Sequence, residues 1–226
     1  MAVLREDRIV ALAEHSSDVD YSSWLLPAVN EVLRQAGAAM TGVDGYAVAA
    51  GPGSFTGVRV GLTTVKAWAE VYGKPVAAVS RLEAIAEQSS PARCVAAFVD
   101  AQRGQIFGAV YKDNREEEGL TRIGEEMVIA PASFIEEAVQ MARGEEIRWL
   151  SPDPGLVTGE VAWKDRGARG ERLESISATL APVIGRIGAR RLLAGKAVDA
   201  LTLDANYVRR SDAEIFWKGS SAAHGR

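Results

Sequence analysis

The segment that most constrains this chain is Gly51-Pro52-Gly53-Ser54-Phe55-Thr56-Gly57-Val58-Arg59-Val60-Gly61. An apolar run, residues 46–50, leads into it. Residues 62–72 follow it with apolar side chains at helical spacing. The chain therefore leaves a strand, turns tightly and enters a helix. Gly51, Gly53 and Gly57 open backbone angles closed to other residues and let a ligand or another backbone come close. The first N–H groups of the next helix can hold an anion or a capping side chain. Two uses of Gly51, Pro52, Gly53, Ser54, Thr56 and Gly57 are open at this stage: a structural turn and a binding loop. Either way the unit belongs to an α/β protein.

Composition narrows the class. At 226 residues the chain suits one large domain or two of about 100 residues each. Its 47% hydrophobic and 25% charged residues are ordinary for a globular protein. No apolar run approaches the roughly 18 residues that span a membrane. The N-terminus has no apolar core of a signal peptide, so a cytoplasmic location without membrane attachment is expected. The single cysteine, Cys94, lies in an apolar run and reads as a core residue. A net charge of −4 argues against a dominant nucleic-acid surface. Residues 175–198 contain no acid, however, and carry Arg186, Arg190, Arg191 and Lys196. This run is either a solvated helix face or a contact for RNA or an acidic partner.

Along the chain, residues 2–4 and 9–13 read as a hairpin. A helix capped by Ser22 or Ser23 follows, with Leu25, Val29, Val32 and Ala36 on one stripe, Pro27 in its first turn and Gly37 as its stop. Residues 43–50 are the strand before the Gly-rich turn. The helix over 62–72 is apolar on more than one face: Val58, Leu62, Val65, Ala69 and Tyr72 form a stripe, with Trp68 and Val71 beside it. Such a helix is buried or sits at an interface. Gly73 stops it, residues 76–79 form a strand, and Ser80 caps a helix over 81–88 with Glu83 at capping-box spacing. The break at Ser89-Ser90-Pro91 divides the chain into units 1–91 and 92–214, with a disordered tail over 215–226. The second unit is expected to hold strands over 93–100, 105–111 and 126–130, a helix over 131–143 and a strand over 148–150. A loop over 151–173 and a helix over 177–193 complete it.

The chemistry a catalyst needs is sparse. His15 and His224 have no partner at metal-binding spacing. Ser54 fails the Gly-x-Ser-x-Gly nucleophile elbow at both flanks. No Lys-Ser or Lys-Thr follows the glycines, so the turn is not a Walker loop. Gly51-x-Gly53-x-x-x-Gly57 is close to a dinucleotide fingerprint, yet the next strand ends Ala78-Val79-Ser80-Arg81 without the ribose-binding acid. No catalytic residue, metal or cofactor is assigned on these grounds. Arg59 and Lys66 are solvated charges or contacts to a partner or RNA phosphate. Asp100 and Arg103 read as a turn ion pair, and Trp68 as core filler or interface anchor. Phe216 and Trp217 pack on their own lobe or dock on a partner.

The eleven-residue Gly-rich block, Lys66, Gly73-Lys74-Pro75-Val76 and Val79-Ser80-Arg81-Leu82-Glu83-Ala84 resemble the TsaB (YeaZ) family. Val99-Asp100-Ala101-Gln102-Arg103-Gly104-Gln105-Ile106-Phe107 is similar to that family's Asp-Ala-Arg-x-Gly-Glu-Val-Tyr segment. Tyr207-Val208-Arg209-Arg210-Ser211-Asp212-Ala213-Glu214 resembles its closing pattern. The likeness spans residues 24–214. It implies a two-lobed α/β fold of the actin/Hsp70/sugar-kinase type and a non-catalytic subunit for threonylcarbamoyladenosine formation at tRNA position 37. The implied partners are the catalytic paralogue TsaD, the ATPase TsaE and, through the complex, tRNA, with a homodimer when alone. The implied partner interface lies on the two first-lobe helices, with Leu25, Val29, Val32, Leu62, Lys66 and Trp68 as its candidates. The alternative is an independent nucleotide-dependent phosphotransferase of the same fold, or an NAD(P)-dependent oxidoreductase.

Three departures stand out. The family's opening strand, roughly Ile-Leu-Ala-Ile-Asp-Thr-Ser-Thr, is absent ahead of the hairpin, which leaves a gap in the first-lobe sheet, where paired strands lie about 4.8 Å apart. The expected start therefore lies upstream of Met1, and with that strand goes the Asp-Thr segment that faces phosphate in nucleotide-binding relatives. Tyr21-Ser22 stands where the family often has His-Ser, and Gln105 where it has Glu.

Overall fold

A computed structural model describes residues 1–15, 20–114, 119–200, 202–206 and 208. The expectations for Tyr207, Arg209, Arg210, the 215–226 tail with Phe216 and Trp217, and His224 concern residues outside these.

The first lobe opens on a hairpin of β1 (Ala2–Arg5) and β2 (Arg8–Leu12), turned at Glu6 and Asp7, with Glu6 at a left-handed φ of 56°. Helix α1 (Tyr21–Ala36) follows. Its N-cap is Asp20, not Ser22 or Ser23, so Pro27 falls in the second turn rather than the first. Gly37, at φ 59°, closes the helix as expected. Then come β3 (Tyr46–Gly51), α2 (Phe55–Tyr72), β4 (Val76–Ser80) and α3 (Arg81–Ala86). Strands β3 and β4 run parallel, with α2 as their crossover.

The second lobe contains β5 (Cys94–Asp100), β6 (Ile106–Asn114), β7 (Gly119–Ile129), α4 (Pro131–Ala142) and β8 (Ile147–Ser151). It continues with α5 (Gly155–Thr158), α6 (Val161–Ala168), β9 (Arg172–Ser175) and α7 (Ala181–Leu193). Its five strands form one sheet in the order β7-β6-β5-β8-β9. The stretch 151–173 is thus mostly structured rather than loop. Cys94 is buried on β5.

Each sheet face has its own core. Phe134, Ile135 and Ala138 of α4 pack with Phe98, Ile106 and Trp149 on one face of the second-lobe sheet. Leu82 and Ile85 of α3, with Ile184 and Ile187 of α7, pack on its other face against Val95, Ala97 and Ala109. In the first lobe, Leu62, Val65 and Ala69 of α2 meet Tyr46 and Val48 of β3, while Val32 and Ala36 of α1 meet Val3 and Ala11.

The first-lobe sheet is divided. The β1–β2 hairpin and the β3–β4 pair are separate two-stranded ribbons. The Tyr46 amide donates to Pro75 O on the β4 side at 3.0 Å. Strand alternation then turns the backbone groups of Ala47 and Ala49 the other way, where no strand among the described residues pairs with them. Helix α7 bridges the two ribbons. A Cβ at Gly185 would stand 2.7 Å from Leu4 Cδ1, and one at Gly188 would stand 2.3 Å from Ala47 Cβ. Helix α7, which follows the second-lobe sheet in the chain, packs against strands of the first lobe. So does the segment after it, with Val198 N donating to Val76 O at 2.8 Å.

Candidate functional site

The Gly-rich turn is built mainly from its own chain. Strand β3 ends on Gly51 at φ 113°, a cis peptide joins Gly51 to Pro52, and α2 starts at Phe55, seven residues before the expected 62. Gly57 and Gly61 are therefore helical residues. Ser54 is the N-cap: its Oγ accepts from Gly57 N at 3.4 Å and its carbonyl accepts from Val58 N at 2.9 Å. Thr56 is exposed in the first turn. The open side of Gly51 is filled by Asn206, whose carbonyl oxygen would lie 2.9 Å from a Cβ there, and whose N–H donates to Ala50 O at 2.7 Å. The close approach that glycine permits at this position is to a backbone. Gly53 faces Arg81, with Nη1 3.6 Å from where a Cβ would stand. Burial lowers the Arg81 pKa, and Tyr21 and the Asp100 carboxylate oppose that shift.

Behind the turn lies a buried polar cluster that sequence reasoning missed. Glu126, on β7, has a side chain 2% exposed. Its Oε1 accepts from Ser80 Oγ at 2.5 Å and its Oε2 accepts from Asn206 Nδ2 at 2.6 Å. Arg122 Nη1 is 3.5 Å from Oε1. Burial raises the Glu126 carboxyl above its usual range, and these three groups oppose that shift. The buried Tyr111 hydroxyl lies beside this cluster, and burial, with the Glu126 charge, pushes its pKa upward while Ser80 opposes the shift. Ser80 caps α3 as expected, accepting from Leu82 N at 3.1 Å. Glu83 instead takes both its short contacts, 2.7 Å each, from Arg191 Nη2. One signal for Glu126 was available: it stands in β-alternation with Val128, an inward residue.

The partner-face candidates divide. Val29, Val32 and Leu62 are buried, Val32 packing with Ala11 and Val3 of the hairpin and Leu62 with Tyr46 and Val48 of β3. Trp68 is half-buried, its ring 5.8 Å from that of Tyr46. Leu25 and Lys66 are half-buried. The large apolar residues these helices expose are Tyr21, Leu26, Phe55 and Val71, with Leu26 61% exposed. Arg59 stacks over Phe55, 3.7 Å from its centroid.

The cationic run of α7 is largely used inside the molecule. Arg191 pairs with Glu83, Arg190 with Glu87 at 2.5 Å, and Arg186 Nε donates to Asp7 O at 3.3 Å. At the second-lobe turn, Asp100 accepts from Gln102 N at 2.7 Å, so the turn is closed through Gln102. Among the described residues, no group of three or more His, Cys, Asp or Glu could hold a metal ion, and no helix is long and apolar enough to cross a membrane.

Two α/β lobes around a strand–Gly turn–helix unit place the chain in the actin-like class. The family model described as "TsaD: tRNA N6-adenosine threonylcarbamoyltransferase" matches residues 15–157. The Escherichia coli protein named tRNA threonylcarbamoyladenosine biosynthesis protein TsaB is 28% identical over 209 residues, 88% of this chain and 84% of that one. Its Bacillus subtilis namesake is 34% identical over 113 residues, 50% of this chain and 49% of that one. The solved structure of YeaZ from Pseudomonas aeruginosa superposes with a TM-score of 0.67 at 24% identity, over 91% of this chain and 92% of that one, a likeness of fold. The chain belongs to the TsaB (YeaZ) family, within the group that the TsaD model describes.

Proposed function

We propose that this chain is a non-catalytic dimerisation subunit of the machinery that makes N6-threonylcarbamoyladenosine at tRNA position 37. Its relatives' names supply the process. The observation that carries the non-catalytic part is the Gly-rich turn. Asn206 fills the open side of Gly51, and Ser54 caps α2, so the turn's close-approach geometry serves the fold. Helices α1 and α2 meanwhile leave Tyr21, Leu26, Phe55 and Val71 exposed. In this reading the chain pairs through α1 and α2 with the catalytic paralogue TsaD, and with a second copy of itself when alone. The pair then offers a surface to the ATPase TsaE and to tRNA.

Co-elution of the purified chain with a TsaD-type subunit tests this. Wild-type protein should co-elute, and Leu26→Glu or Phe55→Glu should weaken pairing at least about ten-fold, the cost of a charge at an apolar contact. Trp68→Glu is the poorer probe, because it also disturbs Tyr46. No co-elution of the wild type would overturn the subunit reading, while unchanged co-elution of both variants would overturn the assigned surface. Saturable micromolar ATP binding with turnover by the isolated chain would favour the phosphotransferase alternative.

A further inference from the structure

We propose that Glu126 is a clasp: its carboxylate fastens the β4–α3 junction of the first lobe to β7 of the second, and holds residues 202–206 across the Gly51 turn. Two parts of the chain, 46 and 80 residues away in sequence, meet Glu126 on its two oxygens. The hydroxyl of Ser80 accepts from Leu82 N at 3.1 Å and Glu83 N at 3.4 Å, which uses its lone pairs. Its one proton is then available for Glu126 Oε1, 2.5 Å away. The second oxygen, Oε2, takes Asn206 Nδ2 at 2.6 Å. Asn206 in turn lays its backbone on β3, donating to Ala50 O at 2.7 Å and placing its carbonyl over Gly51. Leu203, 1% exposed among Tyr46, Leu62 and Val65, anchors the other end of the segment.

The arrangement couples elements that the sheets leave uncoupled. No strand of the first lobe pairs with the second-lobe sheet among the described residues. Removing the carboxylate, whose side chain is 2% exposed, would leave the Ser80 hydroxyl and the Asn206 amide without this acceptor in a part-buried site, where a lost partner is costly. The 202–206 segment would then lose its tie to the second lobe, and the Gly51 turn its cover. Since α2 starts at Phe55, four residues past Gly51, the clasp also fixes how α2 is launched. The inference concerns the isolated chain and does not depend on the proposed partner.

Hydrogen exchange measured by mass spectrometry on the full chain tests it, comparing wild type, Glu126→Ala and Glu125→Ala, the last removing an exposed neighbour. Glu126→Ala should raise exchange at least ten-fold in peptides covering 198–206 and 50–58, with β5 and β8 unchanged. Glu125→Ala should match wild type throughout. Unchanged exchange over 198–206 in Glu126→Ala would overturn the clasp. So would a rise spread equally through β5 and β8, which would make Glu126 a general stabiliser. If Glu126→Ala does not fold, Asn206→Ala, which keeps the Ser80–Glu126 bond, should show the same local rise, and its absence would overturn the proposal.

Discussion

The two sheets of this protein solve one problem in different ways. In the second lobe, five strands share continuous hydrogen-bond ladders, and β5 is buried along nearly its whole length. In the first lobe, two ribbons of two strands are not joined to each other by any strand pairing among the described residues. A two-stranded ribbon is marginal in water by itself. Here the joining falls to helices: α1 and α2 lie on one side of the ribbons, and α7 lies on the other. Gly185 and Gly188, one turn apart on α7, let it approach Leu4 in one ribbon and Ala47 in the other. Where backbone pairing is interrupted, close helix-to-strand packing replaces it, and small residues become the critical ones.

This contrast can be broken most forcefully in the second lobe. Phe134 is fully buried, with its ring 6.0 Å from that of Trp149 and 5.9 Å from that of Phe98, and it packs where Gly108 leaves room. Phe134→Ala should cost about 3–5 kcal/mol, the usual range for a large buried aromatic. Urea unfolding followed by tryptophan fluorescence would measure it. A loss below about 1 kcal/mol would show that the continuous sheet is not the stability centre.

The next effect belongs to the divided lobe. Gly188→Ala would place a methyl 2.3 Å from Ala47 Cβ and 3.4 Å from Ala47 Cα. Helix α7 or β3 must then move, at a cost of about 1–3 kcal/mol. Gly185→Ala meets the tip of the Leu4 side chain, which can rotate away, and should cost less. Thermal melts of both variants check the order. If Gly185→Ala proves as costly as Gly188→Ala, α7 is not seated on β3 as described.

Much of this contrast was readable in the sequence, and its exceptions have physical causes. The β3–turn–α2–β4 unit was legible because glycine and proline punctuate two apolar runs. The start of α2 was not, because Gly57 and Gly61 lower helical propensity and hide the turns that Ser54 caps. Strand β9 and helix α6 were illegible for a different reason. They are rich in charge, and β9 exists by pairing with β8, with Glu174 receiving Arg148 at 2.5 Å across the pair. A local pattern cannot show a strand whose stability lies in its neighbour. On α1 and α2 the apolar stripes hold Val29, Val32 and Leu62, which are buried within this chain. Spacing identifies a buried face without saying whether its cover is the same chain. Glu126 escaped notice because its partners Ser80 and Asn206 lie 46 and 80 residues away.

The smallest effect lies at the seam between the two lobes, and its sign follows from burial. Desolvation raises the Glu126 carboxyl above its ordinary value, while Ser80, Arg122 and Asn206 pull the other way and Glu83, itself paired with Arg191, adds a little to the rise. Tyr111, whose own ionisation is pushed upward, is neutral at this site in the same range. A carboxyl that holds its proton more tightly when folded than when unfolded stabilises the folded state below the ordinary carboxylate range. That contribution is lost as pH rises through the folded value. Wild-type stability should therefore decline relative to Glu126→Gln between weakly acidic and neutral pH, since glutamine keeps the shape without the titration. Other carboxylates contribute equally to both proteins and cancel in the difference. Urea midpoints of the pair, taken across that range, measure it. A difference that does not vary with pH, or that grows in favour of the wild type as pH rises, would mean that the donors on Glu126 outweigh its burial and that its carboxyl is not held above the ordinary range.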